Sequence, residues 1–375
     1  MSDQKHDCLV IGGGLAGSMA ALCLARAGRS VLLVEREPSA HHKVCGEFLS
    51  PEAVAYLRHG GVDPLALGAS PICRLRILIG ARDMENDLPF TALSLSRSRL
   101  DAALLERACD AGAEVQCGVA VSRLQRAPDG WNVLCADGRS FAARDVFLAT
   151  GKHDLHGWAR TAGAQNDLVG FKMHWQLEPR QMQALRGVMA LFLFPEGYGG
   201  LSLVEGGLAN LCFVVRRAAM RRCQGWTGLL AEIVRGNERI AGCLGQAQPL
   251  WERPLAISPI PYGYLAGPDD GLWRVGDQAA VIPSFTGDGM SIALHSAALA
   301  AEMYLAGASV ETYGDALRAQ LRPGMRLATL VSRTIVSRIG RSAAPAALTV
   351  CPPLIRWIAE GTRIPGHALS SMALS

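Results

Sequence analysis

The chain lacks the features that mark several classes of protein. Its 11 cysteines include no Cys-x-x-Cys pair, so their spacing predicts neither a disulfide framework nor a structural zinc site. No apolar run reaches the ~18 residues of a membrane span. The N-terminal stretch MSDQKHDCLVIGGG has no basic or cleavable apolar segment ahead of its first apolar run, which argues against a secretory signal. These absences predict a cytoplasmic protein with reduced thiols.

The composition and net charge also argue against an intrinsically disordered protein and against a nucleic-acid-binding protein. A net charge of +4 over 375 residues gives no argument for nucleic acid as a partner. With 50% hydrophobic residues, 19% charged residues and 41 glycines, the composition is that of a compact enzyme with many tight turns. The length favours two intertwined domains over one core. Positive charge is concentrated at residues 315–375, which contain eight arginines and two acidic residues.

What is present begins with HDCLVIGGGLAGSMAALCLARAGRSVLLVER, a pattern of strand, glycine turn, helix and second strand. Gly12, Gly14 and Gly17 have G-x-G-x-x-G spacing, which permits a tight turn, close approach of a pyrophosphate, and close helix–strand packing. The helix N-terminus offers amide donors to the phosphates. Glu35 ends the second strand, where a carboxylate accepts hydrogen bonds from a ribose. The unit predicts a bound dinucleotide and leaves FAD and NAD as alternatives.

A second pattern, GLWRVGDQAAVIPSFTGDGMSIALHSAALAAEMY, distinguishes the two cofactors. It resembles the second FAD motif of the flavoprotein superfamily that includes p-hydroxybenzoate hydroxylase and the geranylgeranyl reductases. The resemblance implies that Asp277 binds the ribitol chain, that Pro283 lies near the isoalloxazine, and that the helix after Gly287-Asp288-Gly289 points its N-terminus at the pyrimidine edge. A helix N-terminus there stabilises the negative charge of reduced flavin.

Two further segments carry the resemblance. SRSRLDAALLERACDAGAEV is similar to a family segment whose first arginine contacts the pyrophosphate, a role that falls on Arg97, with Arg99 as the substitute. RDVFLATGKHD is similar to the strand that closes the cofactor domain at Gly151. The G-A-D-G sequence of many aromatic hydroxylases is absent here. Further cofactor contacts are predicted at Ala16, Arg36 and Val121.

The segment KVCGEFLSPEA is similar to a Cys-Gly segment that crosses the flavin in the reductase-like branch. Gly46 leaves room for the isoalloxazine, and Cys45 has three possible roles. It lines the flavin, it is a reactive thiol helped by the basic residues at 41–43, or it binds a metal. We favour them in that order, and no metal site is predicted because no second ligand cluster has matching spacing.

The middle of the chain changes to short β-rich segments separated by glycine turns, at 74–80, 169–178, 188–195, 199–205 and 209–216, with a hairpin signal at 205–207. The resemblance implies an inserted antiparallel sheet that carries the substrate. We therefore predict an α/β fold with a Rossmann-like FAD-binding domain (1–73, 95–155 and 265–310), a substrate domain (74–94 and 156–264) and a helical C-terminal segment (311–375). Candidate pocket residues are Trp175, Phe192, Phe194, Tyr198 and Phe213.

Specialised branches of the superfamily carry aromatic motifs that this chain does not share. Isoprenoid reductases have Y-x-W-x-F-P, and tryptophan halogenases have W-x-W-x-I-P. Here GYGGLSLVEGGLAN has Gly200 and Leu203 at the positions of the tryptophan and phenylalanine. The motif comparison therefore supports neither specialised activity.

The C-terminal residues predict a basic amphipathic helix. Arg322, Arg326, Arg333 and Arg338 alternate with leucine, valine and isoleucine. The favoured interpretation is a helix packed on the cofactor domain, and the alternative is a surface for anionic lipid, a carrier protein or an acidic partner.

The resemblance implies an FAD-dependent oxidoreductase. The first hypothesis is a monooxygenase of secondary metabolism, which hydroxylates an aromatic or polyketide-like compound through a C4a-hydroperoxyflavin, with NAD(P)H as a transient reductant. The alternatives are a flavin-dependent reductase or dehydrogenase of the geranylgeranyl reductase type and a non-catalytic electron-transfer flavoprotein. The substrate is expected to be a small molecule, hydrophobic or carrier-bound. Cys45 is the one catalytic candidate, and no general base is identified.

Overall fold

The computed structural model describes residues 5–267, 271–337, 340 and 353–369. The strands, in chain order, are β1 (Lys5–Ile11), β2 (Val31–Glu35), β3 (Phe48–Leu49), β4 (Ser70–Ile79), β5 (Arg82–Ser94), β6 (Glu114–Cys117), β7 (Val121–Ala127), β8 (Gly130–Cys135), β9 (Ser140–Leu148), β10 (Leu168–Gln176), β11 (Gly187–Phe194), β12 (Gly197–Leu203), β13 (Ala209–Arg216), β14 (Gln248–Pro249), β15 (Leu255–Ile257), β16 (Tyr264–Leu265), β17 (Trp273–Arg274) and β18 (Ala280–Val281).

The helices are α1 (Leu15–Arg26), α2 (Pro51–His59), α3 (Arg97–Asp110), α4 (Pro179–Ala184), α5 (Arg217–Arg222), α6 (Trp226–Arg235), α7 (Glu238–Leu244), α8 (Gly289–Leu305), α9 (Val310–Ile335) and α10 (Pro353–Thr362). Short 3₁₀ turns occur at 205–207, 276–278, 284–286 and 366–368.

The first sheet has seven strands in the order β6-β2-β1-β9-β8-β7, with β17 paired to β9. The strands β6, β2, β1, β9 and β17 are parallel, and β7 and β8 join as an antiparallel hairpin. The second half of β1 and most of β2 are apolar runs, because side chains on both faces of these strands are buried in hydrophobic cores. α1, α3 and α8 pack together on one face, and this layer confirms the Rossmann-like domain.

The second sheet has nine strands in the order β14-β10-β13-β12-β11-β4-β5-β3, with β15 paired to β10. Its pairs are antiparallel except β4–β11, which are parallel because the chain passes through the first domain between these two strands. The hairpin predicted at 205–207 joins β12 to β13, and Gly206 and Gly207 take positive φ angles of 69° and 74° there. The inserted sheet predicted from the resemblance is therefore present.

α9 confirms the packed amphipathic helix that was favoured from the sequence. Its inward side chains Tyr313, Leu317, Leu321 and Met325 belong to the same core as α1 and α8. The hydroxyl of Tyr313 donates to the carbonyl of Arg274 at 2.8 Å, which ties α9 to the cofactor domain. The predicted position Arg338 lies outside the described residues. The C-terminal part is helical, as expected.

None of the described helices combines the length and the apolar character needed to cross a bilayer. The domain boundaries written above stay predictions, although β4 begins at Ser70 and β5 ends at Ser94, close to the expected limits of the first inserted segment.

Candidate functional site

A cavity of about 970 Å³ lies between the two sheets and continues to the C-terminal helices. The carboxyl ends of β1, β2 and β9, the segment 41–50 and the start of α8 form its polar end. The face of β4, β5 and β11 and one side of α9 and α10 form its apolar end. Ligand sites at the carboxyl ends of parallel strands and between domains are the rule in such folds, and this cavity has both properties.

The glycine turn after β1 has the geometry that the spacing predicted. Gly12 has a φ of +109°, and a Cβ on it would lie 2.5 Å from the carbonyl oxygen of Ala149. A Cβ on Gly17 would lie 1.8 Å from the carbonyl oxygen of Gly12, so this glycine lets α1 pack against β1. Gly14 precedes α1 and makes no side-chain cap, which leaves the first amides of α1 available to a ligand in the cavity.

Glu35 holds the turn from the end of β2. Its Oε2 accepts the N–H of Gly13 at 2.6 Å, and its Oε1 accepts the N–H of Glu37 at 3.0 Å. Glu35 and Arg36 both line the cavity, as do Ala16 and Val121. A carboxylate fixed at this strand end remains an acceptor for ribose hydroxyls, because each oxygen has a second lone pair.

Two basic side chains stand over the glycine turn. A Cβ built on Gly14 would lie 3.3 Å from Nζ of Lys43 and 3.6 Å from Nη2 of Arg97. Both cations bind Asp101, at 2.7 Å for Lys43 and at 2.8 and 3.0 Å for Arg97. Arg97 was predicted, whereas Lys43 and Asp101 were not assigned to the cofactor site. Because Asp101 neutralises only one charge, the pair keeps net positive charge where a pyrophosphate approaches the helix N-terminus.

The second motif supplies another carboxylate to the cavity lining. Asp277 lines it and binds Nζ of Lys152 at 2.9 Å. Burial by itself raises the pKa of Asp277, but the charge and hydrogen bond of Lys152 offset burial and hold the pKa below its usual value. Gly276 has a φ of +61°, and a Cβ there would lie 2.8 Å from the Cβ of Ala16. The glycine therefore lets the two cofactor motifs meet.

The start of α8 closes the same end of the cavity. Gly287, Asp288 and Gly289 line it, and Gly287 has a φ of +77°. Burial raises the pKa of Asp288 to about 7, although Arg363 opposes this change. Pro283 is not among the lining residues, whereas its neighbours Ile282 and Ser284 are. α8 thus presents its N-terminus to the cavity, and its placement at the pyrimidine edge of the flavin stays a prediction.

The segment with Cys45 and Gly46 passes along the cavity wall. The N–H of Glu47 donates to Sγ of Cys45 at 3.3 Å, and the Arg97 guanidinium interacts with the same thiol. A Cβ on Gly46 would meet nothing within 4 Å, so Gly46 borders open space. The side-chain amide of Asn210 donates to the carbonyl of Cys45 at 3.1 Å, which fixes the segment to the second sheet.

Behind this segment lies a charged cluster that the sequence analysis did not identify. Glu47 is fully buried with a φ of 56° and accepts bonds from Nζ of Lys172, from Nε2 of His174 at 2.8 Å, and from the N–H of Arg97 at 2.7 Å. Burial raises the pKa of Glu47, but Lys172 and His174 more than offset it and lower the pKa. Lys172 and His174 occupy alternate positions of β10 within an apolar stretch, and two polar residues at this spacing were the available signal.

The same cluster contains three side chains of types that bind metal ions. Ligand atoms of His42, Glu47 and His174 lie within 4.8 Å of one another. Both oxygens of Glu47 already accept hydrogen bonds, and the ammonium of Lys172 stands beside them. A buried ammonium repels a divalent cation, so the arrangement is that of an ion-pair network. The sequence prediction of no metal stays a prediction.

The apolar end of the cavity differs from the aromatic pocket expected from the sequence. Of the five candidates, Tyr198 lines the cavity, and Trp175, Phe192, Phe194 and Phe213 instead pack in a separate core on the other face of the second sheet. The reason is the period of two along a strand: on β11 the positions 189, 191 and 193 face the cavity, and 190, 192 and 194 face the core. Aromatic content alone did not identify the correct face.

The residues present fit FAD. Uncapped helix amides and two cations lie at Gly14, where a pyrophosphate needs them; carboxylates at Glu35 and Asp277 suit the ribose and ribitol hydroxyls; and Gly46 leaves open space beside Cys45. Of the predicted cofactor residues, Gly17 and Pro283 are the two outside the lining, and Gly17 acts in helix packing. The assignment of individual FAD contacts remains a prediction.

Comparison with known proteins agrees with this cofactor. Residues 5–144 match a family model described as FAD binding domain. The chain is 27% identical over 339 residues to menaquinone reductase of Mycolicibacterium smegmatis, covering 84% of this chain and 80% of that protein. It is 31% identical over 217 residues to Protein FixC of Escherichia coli (strain K12), covering 51% and 50%.

Among solved structures, the myxobacterial chondrochloren halogenase CndH, an FAD-dependent halogenase, superposes with a TM-score of 0.76 at 19% identity, over 99% of this chain and 96% of that chain. At this identity the likeness shows the fold. The resemblance to FAD-dependent oxidoreductases that the motifs implied is therefore confirmed, and residues 5–144 match an FAD binding domain.

Proposed function

We propose that the protein is an FAD-dependent reductase of a long apolar substrate of the isoprenoid or prenylated quinone type. The observation that carries this proposal is the shape of the cavity. It starts at the glycine turn and Asp277, which suit FAD, and continues into a region walled by aliphatic side chains of β4, β5, β11 and α9. An aliphatic wall of this extent suits a hydrocarbon chain, because it offers apolar contact with few hydrogen-bonding partners.

The similarity to menaquinone reductase over 84% of the chain supports the same substrate class. The aromatic motif of isoprenoid reductases is absent, and the structure shows what stands in its place. Gly199 and Gly200 line the cavity, and a Cβ on Gly200 would lie 3.4 Å from Sδ of Met189 and 3.8 Å from Cδ2 of Leu191. A Cβ on Gly199 would instead point into the core, 2.3 Å from Cζ of Phe192, so Gly200 is the glycine that leaves room beside Met189 and Leu191 at the motif position.

Bound FAD in its reduced form supplies the hydride for such a reduction, and the substrate also needs a proton. We assign the proton to Sγ of Cys45. The sulfur accepts the N–H of Glu47 and lies beside Arg97, and these two contacts position it at the wall of the cavity.

Anaerobic turnover tests the proposal. FAD-loaded protein, reduced with NADPH or dithionite, is mixed with geranylgeranyl diphosphate or a menaquinone, and products are analysed by mass spectrometry. We expect flavin re-oxidation without oxygen and a product that has gained two hydrogen atoms. Cys45→Ala with the same FAD content is the matched control and should turn over ~10²-fold more slowly or less.

Other outcomes identify the remaining hypotheses. If p-hydroxybenzoate or a polyketide-like aromatic gains an oxygen atom in air, and no substrate reacts anaerobically, the protein is the monooxygenase that was first expected and the reductase proposal is wrong. If reduced flavin passes electrons to a protein acceptor and to no small molecule, the electron-transfer hypothesis is correct.

A further inference from the structure

The apolar end of the cavity opens at the surface between two exposed side chains. Leu330 of α9 has 65% of its surface exposed and Trp357 of α10 has 58%, and both line the cavity. Across the described part of the chain, these are the two most exposed large apolar side chains, and the next is Leu65 at 49%. Exposed residues that also line an internal cavity mark its mouth. Apolar side chains at a mouth are unfavourable in water unless another apolar phase covers them.

Close helix packing holds the two sides of the mouth together. A Cβ on Gly324 of α9 would lie 3.0 Å from the carbonyl oxygen of Thr362, and a Cβ on Gly361 of α10 would lie 2.8 Å from Cδ2 of Leu327. Backbones can approach this closely because both helices carry glycine at the crossing. The mouth is thus built from two helices in fixed contact.

A basic stripe runs along the outer side of α9. Arg322, Arg326 and Arg333 are all exposed and lie at spacings of four and seven residues, with Leu330 between the last two. Residues four and seven apart lie on one face of a helix. None of the three arginines takes part in an ion pair or side-chain hydrogen bond with the residues that the structure describes. By contrast, Arg318 pairs with Asp315 on the same helix.

We propose that the outer side of α9, together with Trp357, docks on the anionic surface of a lipid bilayer, so that the mouth of the cavity takes up its substrate from the membrane. This surface, defined as Arg322, Arg326, Leu330, Arg333 and Trp357, is called the docking face. The proposal rests on the proposed function, because a substrate with a long hydrocarbon chain is dissolved in the bilayer.

Charge complementarity and the residue types favour a bilayer as the partner. The arginines match anionic headgroups, while a leucine and a tryptophan suit the boundary between headgroups and acyl chains. An acidic carrier protein would match the arginines equally, but it offers no apolar phase in which Leu330 and Trp357 and the open end of the cavity are all covered. The bilayer accounts for both halves of the docking face.

Vesicle co-sedimentation of the FAD-loaded full chain tests docking without reference to activity. We expect binding to mixed phosphatidylcholine–phosphatidylglycerol vesicles, much weaker binding to phosphatidylcholine alone, and a loss of binding as salt is raised. The triple variant Arg322→Gln, Arg326→Gln, Arg333→Gln should lower the partition coefficient roughly 100-fold, because each arginine near an anionic surface contributes roughly five-fold. FAD content and thermal unfolding check that the variant is folded.

A matched control removes the same number of positive charges from other parts of the surface. Arg82, Arg123 and Arg180 are exposed arginines on β5, β7 and α4, and their substitution by glutamine should leave vesicle binding within about two-fold of wild type. Equal losses in both triple variants would show that net charge alone attracts the protein, and the docking face would be wrong. Absence of wild-type binding to the anionic vesicles at low salt would also overturn it and would assign the stripe to an acidic protein partner.

Activity separates this inference from the proposed function. With a menaquinone embedded in anionic vesicles, the docking-face triple variant should be at least ~10-fold slower than wild type, whereas with the same menaquinone in detergent the two should be equal. If neither protein reduces the quinone in either form, the proposed function fails, and the vesicle binding still decides the docking face. Equal rates on vesicles would overturn the docking face and leave the proposed function in place.

Discussion

Replacement of Asp288 by asparagine should stabilise the apoprotein, and increasingly so as the pH rises from 5 to 8. Asp288 precedes α8 and is 2% exposed. Burial raises its pKa from 3.8 to about 7, against the opposing charge of Arg363 and with support from the charge of Glu52. The Thr362 hydroxyl donates to its Oδ2 at 3.4 Å, and a side-chain hydrogen bond with Thr286 also opposes the rise in pKa. Asparagine has the same shape, accepts the same bond and never ionises.

The sign follows from proton linkage. A carboxyl with a raised folded-state pKa binds more protons in the folded protein than in the unfolded chain between pH ~4 and ~7, so the free energy of unfolding falls as pH rises through this window. The rise of the pKa from 3.8 to about 7 corresponds to a loss of ~4 kcal/mol in the free energy of unfolding once the carboxyl is ionised. Because the folded site relaxes around the charge, we expect a loss of ~2 kcal/mol. Above pH ~7 the loss is complete, and below pH ~4 it is absent.

Urea unfolding of wild type and Asp288→Asn at pH 5, 6, 7 and 8 measures the difference directly. The apoprotein is used because release of bound FAD would add its own contribution. Other groups, including histidines with lowered pKa values, titrate in both proteins and cancel in the difference. A difference in unfolding free energy that stays constant across this range would refute the reasoning. If the stability advantage of Asp288→Asn instead shrinks with rising pH, the pKa of Asp288 is lowered in the folded protein and not raised.

The remaining predictions concern the cofactor end of the cavity. Gly14→Val should abolish FAD binding, measured by flavin absorbance after gel filtration, because a branched side chain would block the pyrophosphate and meet Lys43; full flavin content would show that FAD does not use this turn. Asp277→Ala should weaken FAD binding by ~1.5–3 kcal/mol in a titration of apoprotein, and an unchanged affinity would contradict the assigned contact. Cys45→Ser should retain FAD yet lower kcat by ~10²-fold or more; turnover at the wild-type rate would show that the thiol only lines the flavin. Glu47→Gln should lower the urea stability by ~3–5 kcal/mol, because it leaves Lys172 as an unpaired buried charge; a loss under ~1 kcal/mol would contradict the ion-pair account.

The parts that the sequence predicted are those encoded by local spacing. The turn from Gly12 to Gly17 and the helix after it depend on residues a few positions apart, and the two strands that flank them are buried on both faces. The helix start at Gly289 and the strand at Ala209–Arg216 were placed for the same reason. A glycine between two elements is a strong sequence signal for a turn, because few other residues adopt a positive φ.

The parts that were missed depend on register between distant strands. Phe192 and Phe194 have the aromatic character of a pocket, and nothing local to β11 states which face of the sheet meets the cavity. That face is set by the pairing of β11 with β4 in parallel, across more than a hundred residues of intervening chain, and by α6 covering the other side with Trp226. A one-residue change of register would exchange the two faces, so side-chain type alone does not decide the pocket.

The buried network around Glu47 joins the two halves of the site. Glu47 is a non-glycine residue at a φ of 56°, a conformation that costs ~1 kcal/mol or more, and three bonds from Lys172, His174 and the Arg97 amide hold it there. Lys172 and His174 belong to β10 of the second sheet, whereas Arg97 begins α3 of the cofactor domain. The segment that carries Cys45 is therefore anchored to both domains through one carboxylate. The proton delivery proposed for Cys45 requires a thiol whose position is fixed in this way.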